Sequence, residues 1–178
     1  MSSSSIWLTA TNQEELDYLI ERCTSAEEDN QSFQIMMDIK FGSMLIPAVI
    51  DGINRIPHNI RLHFYIRENS VVRVQCPCDI EALNKSLLDI YSTKVNIGVF
   101  NDATVKLHQG KNSVFTYDNA NIILDSKEVQ NVIVLSNNSV LKGNLSLKSD
   151  LFLCKSNDIS RVNLIEKIKI KAKAKFRR

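Results

Sequence analysis

The sequence predicts an α+β protein in which an N-terminal α/β cap is followed by a short β-solenoid. Helix-like spacing of apolar residues occurs only in the first half of the chain. From residue 95 to residue 153, apolar and polar residues alternate in short runs, which is typical of β-strands. Small polar triplets recur within that second region at offsets of 17 and 19 residues. A β-meander sheet or sandwich is the alternative architecture.

The first predicted helix covers residues 12–24. Thr11 can cap it, and Glu14 follows three residues later, as in a capping box. Acidic residues cluster in the first turn, where the helix dipole favours negative charge. The apolar stripe at helical spacing consists of Leu16, Leu19, Ile20 and Cys23.

A strand and a short helix are predicted next. Alternating apolar residues predict a strand over residues 32–41. Pro47 suits the first turn of a helix over residues 48–54. Pro57 ends that helix, because the residue before a proline is pushed out of helical geometry.

A hairpin and a second helix complete the predicted cap. Residues 60–66 and 71–75 both have strand character and flank a short polar turn, so we expect them to pair as a hairpin. Asp79 can cap a helix over residues 80–91. The buried stripe of that helix would consist of Leu83, Leu87 and Ile90.

The corners of the predicted solenoid are marked by three triplets. Asn and Asp tolerate the left-handed backbone of a tight corner, and a following Ala or Ser fits where the next rung is close. Repeats of this length cannot bury an apolar face alone and must stack. The triplets are Asn101-Asp102-Ala103, Asp118-Asn119-Ala120 and Asn137-Asn138-Ser139.

Two of these segments resemble a known kind of repeat. Residues 101–107 read NDATVKL and residues 118–124 read DNANIIL. They resemble the D-N-A-T-V-x-A repeats of small β-solenoid proteins of bacteria and their phages, which often have no assigned activity. The resemblance covers residues 95–153, and the spacer at 127–131 and Gly143-Asn144 interrupt its period. It implies a mobile-element protein that inhibits or redirects host machinery, such as nuclease-based defence.

Charge is distributed unevenly along a chain of 178 residues with a net charge of +2. Residues 1–38 carry eight acids against one base, and residues 161–178 carry eight bases against one acid. We expect three regions: an α/β cap with two helices and a hairpin (1–94), a solenoid-like region (95–160) and a basic tail (161–178). Attraction between the oppositely charged ends would dock them within one chain or join two chains head to tail.

Composition is that of a globular protein, with 44% hydrophobic and 24% charged residues. The first residues lack the basic and apolar segments of a signal peptide. The longest apolar run, residues 44–50, is too short to span a bilayer. These features predict a soluble, cytoplasmic protein.

The sequence contains no recognised motif of an enzyme or of a metal site. The five glycines are scattered, so there is no phosphate-binding loop. Cys76-Pro77-Cys78 has one-residue spacing, not the two-residue spacing usual in zinc sites, and only His58 and His63 are close in sequence. Reduced thiols are the expected state. We therefore expect no catalytic residue, no metal site and no cofactor, and we predict that the protein is not an enzyme.

Histidines and aspartates offer the remaining chemistry. His63 and His108 are each predicted to be surface residues of strands, because no nucleophile signature surrounds them. Asp118, Asp125 and Asp150 could approach one another on stacked rungs and form paired carboxylates. Corner residues of a repeat also stack for purely geometric reasons, and this second interpretation is favoured.

The basic tail is the predicted contact site for nucleic acid or another partner. As a strand it would have one cationic and one apolar face, and the cationic face could neutralise phosphates. Alternatively, Ile165 to Ile170 cover the last rung and leave a solvated basic end. The predicted contact residues are Lys167, Lys169, Lys171, Lys173, Lys175, Arg177 and Arg178.

These observations favour a non-enzymatic binding protein that presents a rigid β-surface to a macromolecular partner. Rigid ladders lose little conformational entropy on binding, which suits flat protein recognition. The alternative is a nucleic-acid-binding accessory protein acting through the basic tail. A protein partner is expected, nucleic acid and a homodimer are further candidates, and no membrane partner is expected.

Overall fold

The computed structural model describes residues 4–26, 32–53, 56–125, 130–136, 138–143, 149–154 and 166–167. Within these ranges the chain forms one helix, α1 (Gln13–Thr24), and fifteen strands. The strands are β1 (Ser4–Ala10), β2 (Phe33–Ile39), β3 (Ala48–Ile50), β4 (Ile60–Ile66), β5 (Val71–Val74), β6 (Asp79–Ala82), β7 (Leu87–Ile90), β8 (Asn96–Val99), β9 (Thr104–Leu107), β10 (Ser113–Thr116), β11 (Asn121–Leu124), β12 (Val132–Ser136), β13 (Val140–Gly143), β14 (Asp150–Cys154) and β15 (Glu166–Lys167).

The strands form two sheets of mostly parallel strands. The nine-stranded sheet has the order β1-β2-β4-β6-β8-β10-β12-β14-β15, and the six-stranded sheet has the order β13-β11-β9-β7-β5-β3. From β2 to β14, successive strands alternate between the sheets, so each pair of strands makes one rung of a solenoid-like stack. Every described pair is parallel except β14 with β15. The strand-rich prediction is confirmed, and the meander alternative is wrong because its neighbouring strands would be antiparallel.

The hairpin predicted over residues 60–75 is also wrong. Its two segments are strands, but β4 pairs with β2 and β6 whereas β5 pairs with β3 and β7. The turn between them therefore carries the chain from one sheet to the other. Both sheets continue across the predicted boundary between residues 94 and 95, because β6 pairs with β8 and β7 with β9.

The core lies between the two sheets and is built from rows of equivalent residues. In one row of the nine-stranded sheet, partners in register lie 17, 17, 19 and 18 residues apart. Branched aliphatic side chains at these positions suit the pleated surface of buried parallel strands. The row consists of Ile80, Ile97, Val114, Ile133 and Leu151, all of them buried.

The corners before the six-stranded sheet follow the predicted chemistry. Asn101, Asp102 and Asp118 have positive φ angles of 48°, 63° and 53°, and the small residues Ala103 and Ala120 are fully buried. The same corner pattern also occurs nearer the N-terminus, in the part of the chain predicted to form the cap. There, the positive-φ pairs Glu68-Asn69 and Asn84-Lys85 precede the buried Ser70 and Ser86.

The corners before the nine-stranded sheet contain a buried polar ladder. The Asn112 side chain accepts a hydrogen bond from Val95 N at 2.9 Å and donates to Ser92 O and Gln109 O, each at 3.1 Å. The backbone N–H of Asn112 in turn donates to Oδ1 of Asn131 at 3.1 Å. Each rung therefore satisfies backbone groups of its neighbour that would otherwise be buried without partners.

Helix α1 lies at the start of the stack. Its apolar stripe is confirmed, with Leu16, Ile20 and Cys23 buried. The cap is one residue later than predicted, because Asn12 is the N-cap residue and accepts a hydrogen bond from the backbone N–H of Glu15. No helix in the described part of the chain is both long enough and apolar enough to cross a membrane.

The helix also covers the first edge of the six-stranded sheet. The side-chain amide of Gln13 donates to Val49 O and accepts from Val49 N, both at 2.8 Å. It thus replaces a neighbouring strand at the centre of β3.

Two predicted helices are wrong. Residues 80–91 form most of β6 and all of β7, joined by a corner at Asn84-Lys85. Residues 48–50, predicted to begin a short helix, form β3. In both segments, parallel partners from distant parts of the chain outweigh the local helical pattern.

We expect the polar ladder to contribute strongly to stability. Asn112→Ala leaves the buried N–H of Val95 without a partner and removes two further hydrogen bonds, which should lower the free energy of unfolding by about 2–4 kcal/mol. The matched control is Asn96→Ala, because the Asn96 side chain is exposed and donates a hydrogen bond to the Asp79 side chain instead of to buried backbone. That variant should lie within about 0.5 kcal/mol of wild type in urea unfolding. Equal losses in the two variants would contradict this role of the ladder.

Candidate partner-binding surface

The outer face of the nine-stranded sheet carries two groups of aromatic side chains. Alternate residues of a strand point to opposite faces, so Trp7, Tyr65 and Phe115 point outward while their chain neighbours point to the core. Trp7 is 53% exposed and Phe115 is 37% exposed. Because a continuous ladder of hydrogen bonds connects their strands, the distances between the two groups are fixed by the fold.

The first group, the Trp7 cluster, comprises Trp7, His63, Tyr65, Arg67 and Asp38. The ring of Tyr65 lies 5.1 Å from that of Trp7 and 4.8 Å from that of His63, centroid to centroid. The Arg67 guanidinium is 5.9 Å from the Trp7 ring and 5.6 Å from the Tyr65 ring. Its Nε donates to Oδ1 of Asp38 at 2.8 Å, which holds the cation over the rings.

The second group, the Phe100 group, comprises Phe100, Tyr117 and Phe115. The rings of Phe100 and Tyr117 stack with centroids 4.1 Å apart and planes 8° apart. Gly98 lies beside them, in register with Glu81 and Phe115. A Cβ atom on Gly98 would come within 2.9 Å of Phe100 Cε2.

A depression of about 290 Å³ opens over Gly98, where one side chain is missing from the outward row. Aromatic rings line one side and charged groups line the other. Residues lining it include Arg61, His63, Glu81, Phe100, Phe115 and Tyr117.

The charges of this face are paired. Arg61 Nη2 lies 3.7 Å from Asp79 Oδ2, and His63 Nε2 lies 3.4 Å from Glu81 Oε1. The geometry of the second pair makes no hydrogen bond, so Nε2 of His63 is a buried polar atom without a hydrogen-bond partner. Burial and the charge of Glu81 raise the pKa of Tyr65 above its ordinary value. The phenol therefore keeps its proton at neutral pH and can donate a hydrogen bond.

The outer face of the six-stranded sheet carries a second polar cluster around His108. The imidazole lies between two carboxylates, with Nε2 3.3 Å from Asp89 Oδ1 and Nδ1 2.9 Å from Asp125 Oδ2. Its ring stacks on Tyr91 at a centroid distance of 4.1 Å, and the Arg73 guanidinium lies 5.5 Å from the centroid of the Tyr91 ring. This cluster was not predicted from the sequence, although the offsets of 19 residues from Asp89 to His108 and 17 residues from His108 to Asp125 match the rung length.

The three aspartates predicted to stack are not brought together. Asp118 lies in the turn before β11, Asp125 directly follows β11, and Asp150 is the first residue of β14 in the other sheet. They occupy three different positions within a rung, so they form neither the paired carboxylates considered as an alternative nor a stack of equivalent corner residues. Of the three, Asp125 takes part in the His108 cluster.

The predicted basic contact residues lie almost entirely outside the described residues. Lys167 belongs to β15, whose backbone pairs antiparallel with β14. Contact by these residues therefore stays a prediction. Those outside the described residues are Lys169, Lys171, Lys173, Lys175, Arg177 and Arg178.

Cys23, Cys76 and Cys78 are free thiols packed against the core. Burial raises the pKa of the Cys76 thiol. Burial, together with the nearby Cys76 and Asp79, raises the pKa of the Cys78 thiol well above its ordinary value. Within the described ranges, no group of three or more His, Cys, Asp or Glu residues is placed to hold a metal ion.

Comparisons of the chain with protein-family models, with curated proteins and with solved structures found no match in any of the three. Only the geometry of the outer faces of the two sheets therefore bears on function.

We expect the buried thiols to make the fold sensitive to alkaline pH. The folded chain keeps the protons of Cys76 and Cys78 at pH values where an unfolded chain, with a Cys pKa of about 8.5, has lost them. Their stabilising contribution is thus complete below about pH 8.5 and is lost as pH rises through the raised folded-state values.

Urea unfolding at about pH 7.5 and about pH 9.5 measures this effect. Between the two pH values, wild type should lose more stability than the double variant Cys76→Ala/Cys78→Ala. Identical losses in the two proteins would show that the thiols do not contribute.

Proposed function

We propose that the chain is a non-enzymatic binding protein that presents the outer face of its nine-stranded sheet to a protein partner. The observation that supports this most is the presence of two aromatic groups on one sheet face: the Phe100 group lines the Gly98 depression, and the Trp7 cluster reaches it through His63. Trp, Tyr and Arg are the residue types that dominate binding energy at protein interfaces. The Trp7 cluster contains all three.

The rigidity of the face supports the same function. Side chains on hydrogen-bonded strands have little freedom to lose on association, so more of the contact energy appears as affinity. The stacked Phe100–Tyr117 pair and the Arg67–Asp38 hydrogen bond fix side chains in the same way.

The electrostatics of the face favour protein over nucleic acid. Arg61 and Arg67 each lie beside a carboxylate, at 3.7 Å and 2.8 Å. Neutralised cations attract phosphates weakly, and Glu81 adds a further negative charge near the depression. An aromatic face whose arginines are paired with carboxylates matches the anatomy of a protein interface.

The scaffold proposed for this function is a capped β-solenoid. The two-sheet stack provides the rungs and α1 covers its first core residues, which supports the cap. The inhibitor role against nuclease-based defence that the repeat resemblance implies, and the action of the basic tail on nucleic acid, stay predictions.

A pair of matched substitutions tests the proposed face. Phe115 and Tyr91 are similarly exposed, at 37% and 39%, but belong to opposite faces of the stack. Once a partner has been captured from a bacterial lysate and purified, Phe115→Ala should weaken its binding at least about thirtyfold, corresponding to a hot-spot loss of about 2 kcal/mol. Tyr91→Ala should bind as wild type does. Loss of binding in Tyr91→Ala with retention in Phe115→Ala would assign the site to the other sheet.

Gly98→Ala tests the depression itself. The added methyl group occupies the floor and pushes the Phe100 ring from its place against Tyr117. We expect reduced affinity with native circular dichroism. Unchanged affinity would exclude the depression as part of the contact.

A further inference from the structure

The free edge of β1 is the least protected feature at the start of the stack. β1 pairs with β2 along all seven of its residues, and the described residues provide no partner for its other edge. Natural proteins protect edge strands with charges, prolines, bulges or a covering segment. The β1 sequence, SSIWLTA, contains no charged residue and no proline.

The contrast with the neighbouring edge is informative. At the six-stranded sheet, the side chain of Gln13 pairs with the backbone of Val49 and closes the edge of β3. At β1, the described residues supply no equivalent side chain. Instead Ile6 is 42% exposed and Trp7 is 53% exposed.

An apolar groove of about 340 Å³ lies between α1 and the core side of β1, β2 and β4, and Ile6 and Leu8 of β1 line it. Its charged group is Arg22, whose guanidinium lies 5.9 Å from the Tyr18 ring. The acidic Asp17 and Glu21 line a different depression, beside Asp51. The groove residues include Ile6, Leu8, Tyr18, Leu19 and Ile35.

The β1 sequence is also symmetric in character about Trp7. Aliphatic Ile6 and Leu8 flank the tryptophan, and small hydroxyl residues Ser5 and Thr9 flank them. In an antiparallel pair of β1 strands centred on Trp7, a residue before Trp7 in one copy faces the residue equally far after Trp7 in the other copy. Ile6 would face Leu8 on the core side, and Ser5 would face Thr9 on the outer side. A twofold interface requires this kind of self-complementarity.

We propose that two copies of this chain associate through antiparallel pairing of their β1 strands, centred on Trp7. The nine-stranded sheets of the two copies then form one continuous sheet across a twofold axis. Main-chain hydrogen bonds supply affinity and the facing side chains fix the register, as in other cases of strand addition. Ile6 and Leu8 become buried, and the two outer faces become a single surface. This association does not depend on the proposed partner.

The contact centres on one strand from each copy and is small, so we expect weak association with a dissociation constant in the micromolar range. Sedimentation equilibrium of the full chain from about 1 µM to about 100 µM should show a monomer–dimer equilibrium. The dimer should persist in about 0.5 M NaCl, because backbone pairing and apolar burial are little screened. A head-to-tail dimer of acidic and basic ends would dissociate there. A monomer at all concentrations, or a dimer dissolved by salt, would overturn the proposal.

Two double variants that share one substitution test the register. In Ser5→Lys/Thr9→Lys, the predicted register brings introduced cations opposite each other twice, and association should weaken at least tenfold. In Ser5→Glu/Thr9→Lys, each introduced cation faces an introduced anion, and the dimer should be retained. Within one chain, positions 5 and 9 are about 13 Å apart along the strand, so the variants should be equally stable as monomers. An equal effect on association in both variants would exclude this register.

A second measurement keeps the test decisive if a variant folds poorly. Trp7 is the one tryptophan of the chain, and its counterpart lies opposite it in the proposed dimer. Its fluorescence emission in the wild-type protein should therefore change over the concentration range in which sedimentation reports association. Association without any change in emission would place the interface elsewhere.

Discussion

The structure depends on how the chain turns between its two sheets. At the corners before β5, β7, β9 and β11, positive φ angles let the backbone reverse within two or three residues, and a small buried residue follows. Ala103 and Ala120 fill this position with a single methyl group. Parallel register follows, because corners that stack must begin their strands at equivalent positions.

Once the register is fixed, the inner and outer rows are fixed with it. The inner row through Ile80, Ile97 and Val114 fills the core. The adjacent outer row runs from Tyr65 through Glu81 and Gly98 to Phe115. The Gly98 depression exists because this row has one position without a side chain between larger neighbours. The proposed binding face is therefore a property of the register, and no separate loop is needed to build it.

The sequence predicts those elements whose local pattern has one structural solution. The stripe through Leu16, Ile20 and Cys23 extends over about two helical turns and spans more residues than any described strand, since the longest have seven. Residues 80–91 are ambiguous, because Leu83, Leu87 and Ile90 are spaced as on a helix. In the structure Leu83 and Leu87 are only partly buried, and Leu88 is buried instead. Two four-residue strands joined by a corner reproduce helical spacing, and only their parallel partners distinguish the two structures.

The surface clusters could not be predicted from the sequence, because their residues become neighbours only in the folded stack. Asp89, His108 and Asp125 are far apart in the chain and become neighbours only when the rungs are aligned. Trp7 and Tyr65 are farther apart still, and they belong to the start of the stack, where the repeat signal is absent. Inner positions of a repeat are constrained by the rungs on both sides, whereas the first strand and the outer rows are not. In this chain those positions carry the exposed aromatic groups and the uncharged edge.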